Sequence, residues 1–244
     1  MEAIQRVAVV SGGSSGIGLA LVELLHAEGW AVYTCGRDGT RLQDLPQRFP
    51  GVQALTCDVT ERASVQAFAD WVTKSAPRIN LVVSNAGGLT EVDFTAANLA
   101  ELDLVADLRR NTEGAIHWIS AFLPVLRSSN PASILIVSSG YALAPATRAP
   151  IYSAAKAALH SLSKSLRRQL APLGISVTEL LPPLVDTPAV SHRKGVKLSA
   201  NQVAAQALRG ALSGADEVRP GAVRFLPFLM RIAPRAIERM VART

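Results

Sequence analysis

Apolar positions along this chain switch repeatedly between two periods. Short continuous runs such as VAVV at 7–10 read as strands buried on both faces, whereas the spacing in GIGLALVELLHAEG, closed at Gly29, reads as an amphipathic helix. AVYTCGR and VQALTCDVT follow as a second and third strand, SVQAFADWVTKSA as a helix, and INLVVSNAG as a fourth strand ending on small residues. A long helical region over about 98–128 comes next, then the strand ASILIVSS, the helix YSAAKAALHSLSKSLRRQLAPLG and the strand ISVTELLP. Continuous apolar strands alternating with helices fit a parallel sheet with helices on both faces. Right-handed crossovers make that a doubly wound α/β fold.

No linker, internal repeat or low-complexity tract interrupts the 244 residues, so 1–244 reads as one domain. At 49% hydrophobic and 18% charged, with a mean hydropathy of +0.24, the chain is too apolar for disorder. No apolar run is long enough to span a membrane. MEAIQR leads straight into a strand without the basic and apolar regions of a secretory signal, so a cytoplasmic location is expected. Cys35 and Cys57 fall in or beside buried strands and read as reduced core residues, neither a disulfide nor a metal pair. The net charge is +6, with much of the excess late, at Arg193, Lys194, Lys197, Arg219, Arg224, Arg231, Arg235, Arg239 and Arg243. Without zinc spacing, aromatic-basic motif or basic repeat, this charge reads as mostly solvated surface, and no nucleic-acid partner is expected. No histidine has metal-ligand company along the sequence, and no metal is expected.

The glycine-rich stretch SGGSSGIG, Ser11–Gly18, sits between the first strand and the first helix, where a doubly wound fold binds phosphate. Gly12 permits the tight turn, Gly16 lets backbone approach a pyrophosphate, and Gly18 lets helix and strand pack closely. The helix N-terminus adds its own attraction for an anion. A nucleoside-triphosphate loop would end in Gly-Lys-Ser/Thr, which is absent here. The spacing Gly12-xxx-Gly16-x-Gly18 resembles the fingerprint of the short-chain dehydrogenase/reductase family, with Ser11 where that family usually has Thr. Four more motifs appear in order: NAG at Asn85–Gly87, NTEG with Asn111, IVSSGYALAPATRAPIYSAAK with a serine, Tyr152 and Lys156, and PPLVDTP after the sixth strand. The resemblance spans roughly 5–190.

That resemblance implies a Rossmann fold with a cofactor half over about 1–135 and a catalytic and substrate part over about 136–244. It places the cofactor on Gly12, Ser14, Ser15, Gly16, Ile17, Gly18, Arg37, Asp58, Val59, Asn85, Ala86, Gly87, Tyr152, Lys156, Pro182 and Thr187. Tyr152 and Lys156 are four apart on a helix and share a face. A nearby ammonium favours the phenolate and lowers a pKa of about 10, suiting the tyrosine to acid-base work. In the family the lysine also bonds the nicotinamide ribose, and the tyrosine exchanges a proton with the substrate oxygen. Family spacing puts the polarising hydroxyl at Ser139 rather than Ser138. Asn111 resembles the helix residue that holds a water in a proton relay from the lysine. Asp58 either resembles the aspartate beside the adenine or caps the helix starting near Thr60.

Cofactor choice falls at TCGRD, the end of the second strand. An acid there bonds the ribose 2′-OH, and an arginine accommodates a 2′-phosphate. Gly36 takes the strand end, Asp38 stands at about the right count to be the acid, and Arg37 and Arg41 offer guanidinium forks. A fork suits phosphate better, so NADP(H) is expected over NAD(H); the plain alternative is a surface pair between Arg37 and Asp38. Pro183 stands where the family commonly has Gly after Pro182, which removes a backbone donor. Thr187 keeps the hydroxyl that the family uses on the carboxamide or nearby phosphates. His192, Arg193, Lys194 and Lys197 follow in the family's lid region, either as solvated cations or as contacts for an anionic substrate. Leu143, Ala144 and Ala146 hint at an apolar pocket wall.

The tail VRFLPFLMRIAPRAIERMVART, interrupted at Pro234, is expected to pack on the core or a neighbouring subunit. Resting on a membrane surface is the weaker alternative. Taken together, the resemblance implies an oxidoreductase that interconverts a carbonyl and a secondary alcohol of a small molecule by hydride transfer. Asn111, Ser139, Tyr152 and Lys156 would be its catalytic residues. The long helical region and the Lys156 helix resemble the family's dimer interface, implying a homodimer or homotetramer. A cofactor-binding regulator or scaffold of the same fold with little turnover is the alternative.

Overall fold

The computed structural model describes residues 5–191, 193 and 195–242; His192, Lys194 and Arg243 lie outside the described residues. β1 (Val7–Ser11) leads into α1 (Gly16–Ala27), and β2 (Ala31–Gly36) into the short helices α2 (Gly39–Gln43) and α3 (Leu45–Arg48). β3 (Gln53–Thr56), α4 (Arg62–Ser75) and β4 (Leu81–Ser84) follow. A loop and α5 (Ala106–Leu108) run through one π-helical turn, Arg109–Glu113, into α6 (Gly114–Arg127). Next come β5 (Ala132–Val137), α7 (Pro150–Leu170) and β6 (Ile175–Leu180). After β6 lie β7 (Val185–Asp186), β8 (Leu198–Ser199), α8 (Ala200–Leu212), β9 (Glu217–Val218), α9 (Leu226–Ile232) and α10 (Pro234–Ala242).

The main sheet is parallel throughout, in the order β3-β2-β1-β4-β5-β6-β9. The chain winds outward from β1 through β2 to β3, then returns to β4 on the other side of β1 and winds the opposite way. This is the doubly wound Rossmann fold, and its switch point lies between the carboxyl ends of β1 and β4. Successive side chains on a strand point to opposite faces. Val7 and Val9 join the core under α4 and α6 with Phe68, Trp118 and Phe122, while Ala8 and Val10 join Leu21, Leu25 and Val203 on the α1 and α8 side. A strand covered on both faces has to be apolar at every position. The aromatic centre is tightly arranged: Phe68 stacks on Trp118 at 5.3 Å and Phe122 meets Trp118 edge-on at 4.9 Å.

Three features depart from the periodic reading. The seventh strand, β9, has only two residues, paired Glu179↔Glu217 and Leu180↔Val218, too few to show a period. A small separate sheet joins β7 to β8. The long helical region is broken by the π-turn at Arg109–Glu113, a widening that recurs where helices carry function. Cys35 and Cys57 are buried and free. The tail divides at Pro234, and Leu226 packs with Val223, Ala144 and Leu181 in a small third cluster. Phe228 and Ile232 remain exposed. Among the described residues no helix is long and apolar enough to cross a membrane.

Candidate active site

At the switch point the ends of β1 and β4 are tied through Ser11. Its hydroxyl accepts from the backbone N–H groups of Asn85 and Ala86, each at 3.0 Å, and donates to the Val83 carbonyl at 3.3 Å. Asn85 Nδ2 donates back to the Ser11 and Gly12 carbonyls at 3.0 and 3.1 Å. Gly12 and Gly16 take φ of +69° and +56°, the left-handed region that side chains avoid. A Cβ on Gly18 would lie 2.2 Å from the Gly12 carbonyl oxygen, so α1 packs against the turn with no room for one. Gly13 lies outside the three-glycine spacing yet is as confined, since its Cβ would fall 2.0 Å from Thr34 Oγ1. Thr34 on β2 and Val22 on α1, 2.8 Å away, impose that constraint. Ser15 precedes α1 without a side-chain cap, leaving the first-turn N–H groups for a ligand.

From this turn a cavity of about 1090 Å³ runs along the carboxyl ends of the strands. Ser14, Ser15 and Ile17 line it, as do Arg37, Asp58 and Val59 at the ends of β2 and β3. Asn85, Ala86, Gly87, Asn111, Ser139, Tyr152, Lys156, Pro182 and Thr187 complete its floor and far side. Thr187 stands over the turn, its methyl 3.1 Å from where a Gly16 Cβ would be. Asp38 is not paired with Arg37: its carboxylate accepts from Arg41 N–H at 3.1 Å and meets Arg41 Nε at 3.0 Å, capping α2. Arg37 is exposed and has no ion-pair partner among the described residues. Asp58 Oδ1 accepts from Thr60 N–H and Oγ1 at 3.0 and 2.8 Å, closing the turn before α4, whose N-cap residue is Glu61.

Pro150 begins α7 and places Tyr152 in its first turn, with Lys156 one turn further. The Ser139 hydroxyl accepts from Tyr141 N–H at 3.1 Å and lines the same cavity as Tyr152. Ser138, which also lines the cavity, donates its hydroxyl to the Lys156 carbonyl at 3.3 Å. Lys156 is 4% exposed, and its ammonium donates to the Val137 carbonyl at 2.9 Å, 5.4 Å from the Tyr152 ring centre. Here the expected lowering of the tyrosine pKa is corrected. Enclosure by protein pushes the phenol up to about 12, opposed by the nearby Ser139 hydroxyl and the Arg193 charge. Lys156, stripped of water, is itself drawn down to about 8 against the pull of Glu179 and Asp107.

Asn111 is 1% exposed in the π-turn, and its amide is spent on backbone. Nδ2 donates to the Gly88 and Asp107 carbonyls at 2.7 and 2.9 Å, and Oδ1 accepts from Gly88 N–H at 3.4 Å. The side chain thereby holds the loop that carries NAG.

The substrate end differs from the sequence reading. Leu143, Ala144 and Ala146 do not line the cavity; Leu143 and Ala144 support Val223 and Leu226 from behind. The apolar wall comes instead from the tail, through Val223, Phe225, Leu226, Leu229, Met240 and Val241. Lys197 is neither a free surface cation nor a cavity residue. Its ammonium donates to the Val190 and Ser191 carbonyls at 2.9 and 3.1 Å and braces the segment. Arg193 is buried and lines the cavity. The reading that no histidine has ligand company also changes, because α7, β6 and β9 bring His160 together with Glu179 and Glu217. His160 Nδ1 lies 2.7 Å from Glu179 Oε2, while Glu217 pairs with Arg219.

Fold and cavity together define an oxidoreductase of the Rossmann class. The short chain dehydrogenase family model matches residues 6–196, and the chain belongs to that family. It is similar to the uncharacterized oxidoreductase DltE of Bacillus subtilis (strain 168), 38% identical over 188 residues, or 77% of this chain and 74% of that protein. A short chain dehydrogenase from Burkholderia cenocepacia J2315, solved in complex with NADP, has a TM-score of 0.85 at 28% identity and covers 97% of both chains. A short chain dehydrogenase/reductase from Burkholderia phymatum, solved in complex with NAD, has a TM-score of 0.83 over 98% of this chain and 96% of that one. At 23% identity that last likeness is one of fold alone.

Proposed function

We propose that this chain is an NADP(H)-dependent oxidoreductase that interconverts a carbonyl and a secondary alcohol. The observation that carries the reading is Tyr152, one helical turn from Lys156 and in one cavity with Ser139 and the glycine turn. A dinucleotide fits that cavity: its glycines leave a cradle that a Cβ would fill, and the uncapped first turn of α1 opens onto it. Gly12, Ser14, Ser15, Gly16 and Ile17 would hold the pyrophosphate, with Gly18 packed behind. Asp58 and Val59 would flank the adenine, Asn85, Ala86, Gly87, Pro182 and Thr187 the nicotinamide side, and Tyr152 and Lys156 the ribose. Arg37 would take a 2′-phosphate with its unpaired fork, whereas Asp38 is held by Arg41.

When bound, the nicotinamide supplies or accepts the hydride. The chain's own part is the proton. With its pKa near 12, Tyr152 keeps its proton at neutral pH and donates it to the carbonyl oxygen in the reducing direction. Ser139 polarises that oxygen, Lys156 supplies the neighbouring charge, and Asn111 holds the loop that positions Asn85–Gly87. A homodimer or homotetramer is part of the reading, since Val105, Leu108 and Ile116 leave apolar surface on the α5–α6 region. Light scattering after gel filtration checks it.

The test is a fluorescence titration with NADPH and NADH, followed by a panel of simple ketones. NADPH is expected to bind about tenfold tighter or better, with the difference erased in Arg37→Ala. Tight NADH binding would move the recognition to Asp38. Nucleotide binding with no turnover of any carbonyl would overturn the enzymatic reading in favour of a regulator.

A further inference from the structure

Past Tyr152 the cavity is basic on one side and apolar on another. Arg148, between β5 and α7, and Arg193, between β7 and β8, both line it and both approach Glu91 Oε1. Arg193 Nη2 donates to that oxygen at 2.7 Å. Arg148 Nε lies 3.4 Å from it but makes no hydrogen bond. Two guanidinium charges therefore share one carboxylate oxygen. The Nε atoms of both arginines are buried and without a hydrogen-bond partner. Arg193 is only 8% exposed, whereas the Glu91 side chain is 46% exposed.

A buried guanidinium with unmade hydrogen bonds is unfavourable, and each planar fork is shaped for a two-oxygen partner. Among the described residues no carboxylate lines this end of the cavity. Arg110 is paired with Asp107, and the two carboxylates that do line the cavity, Asp38 and Asp58, sit at its nucleotide end. The charge of Arg193 is also felt at Tyr152, where it opposes the effect of burial. Leu226, Leu229, Met240 and Val241 offer apolar surface alongside.

We propose that Arg148 and Arg193 bind a carboxylate of the substrate in place of Glu91, and that the substrate is therefore an oxo acid with an apolar body. Glu91 does not itself line the cavity, but its Oε1 holds the charge of both arginines in the structure described. Being half in solvent, it can leave with little loss of hydration, and the incoming anion restores the charge balance. This inference rests on the carbonyl-reductase reading and names the substrate class of that same site.

The experiment compares benzoylformate, benzoylpropionate and benzoylbutyrate, each against its methyl ester, by NADPH consumption. For at least one pair kcat/KM is expected to favour the acid about tenfold or more, and Arg193→Met to bring that ratio close to unity. Glu91→Gln is expected to act in the opposite direction, lowering KM for the acid because the competing carboxylate is gone. Equal rates for every acid and ester, an unchanged ratio in Arg193→Met, or a raised KM in Glu91→Gln would each overturn the proposal. Calorimetry of the same acids on protein saturated with NADP+ separates the two readings. Acid binding that weakens in Arg193→Met supports the arginine site even if no ketone is reduced, and absence of acid binding overturns the site even if simple ketones are reduced.

Discussion

The two ends of the cavity are built in opposite ways. At the nucleotide end the surface is backbone: Gly12, Gly13, Gly16 and Gly18 strip side chains from one turn, and the first N–H groups of α1 face a ligand. At the other end side chains do the work, with Arg148, Arg193 and Glu91 brought together from three loops and an apolar wall from the last helices. Backbone recognition demands a particular loop shape, so it constrains a few adjacent residues severely. Side-chain recognition demands only that distant positions meet, so it leaves each local sequence nearly free. Tyr152 and Lys156 stand at the boundary, where the constraint is on the spacing along one helix.

That contrast can be broken at several points. The largest effect is expected from Tyr152→Phe, which should cut carbonyl turnover by about 10²- to 10⁴-fold while nucleotide affinity stays within about twofold. NADPH consumption set beside a fluorescence titration checks it. A loss of nucleotide binding as large as the loss of turnover would instead make the ribose contact, not the proton, the main role of Tyr152. Gly18→Val should strike that end alone, since even a Cβ there would meet the Gly12 carbonyl oxygen. A loss of about 1–3 kcal/mol in urea unfolding is expected, together with the loss of nucleotide binding.

Lys156 sharpens the comparison through pH. Burial draws it from 10.5 to about 8, so between those values the unfolded chain binds the proton and the folded chain does not. Stability contributed by this group therefore rises with pH across that window and is lost as pH falls through about 8. Lys156→Met should be more stable than the parent at pH 7, with the gain narrowing toward pH 10 in urea unfolding. A constant difference at both values would mean that the lysine is not desolvated.

Arg37→Ala should weaken NADPH binding by about tenfold and leave NADH binding unchanged. Equal loss of both would show that the arginine acts through the fold rather than on a 2′-phosphate. The smallest effect is expected from Phe228→Ser, a residue 65% exposed on α9 and outside both ends of the cavity. Its stability should move by less than about 0.5 kcal/mol. A larger fall in thermal midpoint would show that the outer face of the tail is covered in solution.

Local sequence carried a good deal of this. The glycine spacing located the turn, the four-residue spacing of Tyr152 and Lys156 put both on one face of α7, and the family spacing pointed to Ser139, which lines the cavity with them. Other features had no local signature. β9 is two residues long, and its pairing depends on β6 being in place to receive it. The bond from Arg41 to Asp38 appears only once α2 is formed. The apolar wall was sought at Leu143, Ala144 and Ala146, next to Tyr152 in sequence, but tail residues cover that end, and Leu143 and Ala144 became their support.

By itself the sequence determined the parallel α/β architecture, the glycine turn and the tyrosine-lysine pair, because each depends on residues within one element or one turn. Tertiary structure alone decided the raised pKa of Tyr152, the lowered pKa of Lys156, the sharing of Glu91 by two arginines and the origin of the pocket wall. Those are consequences of desolvation and of contacts between segments far apart in the chain, and neither quantity exists until the elements have packed.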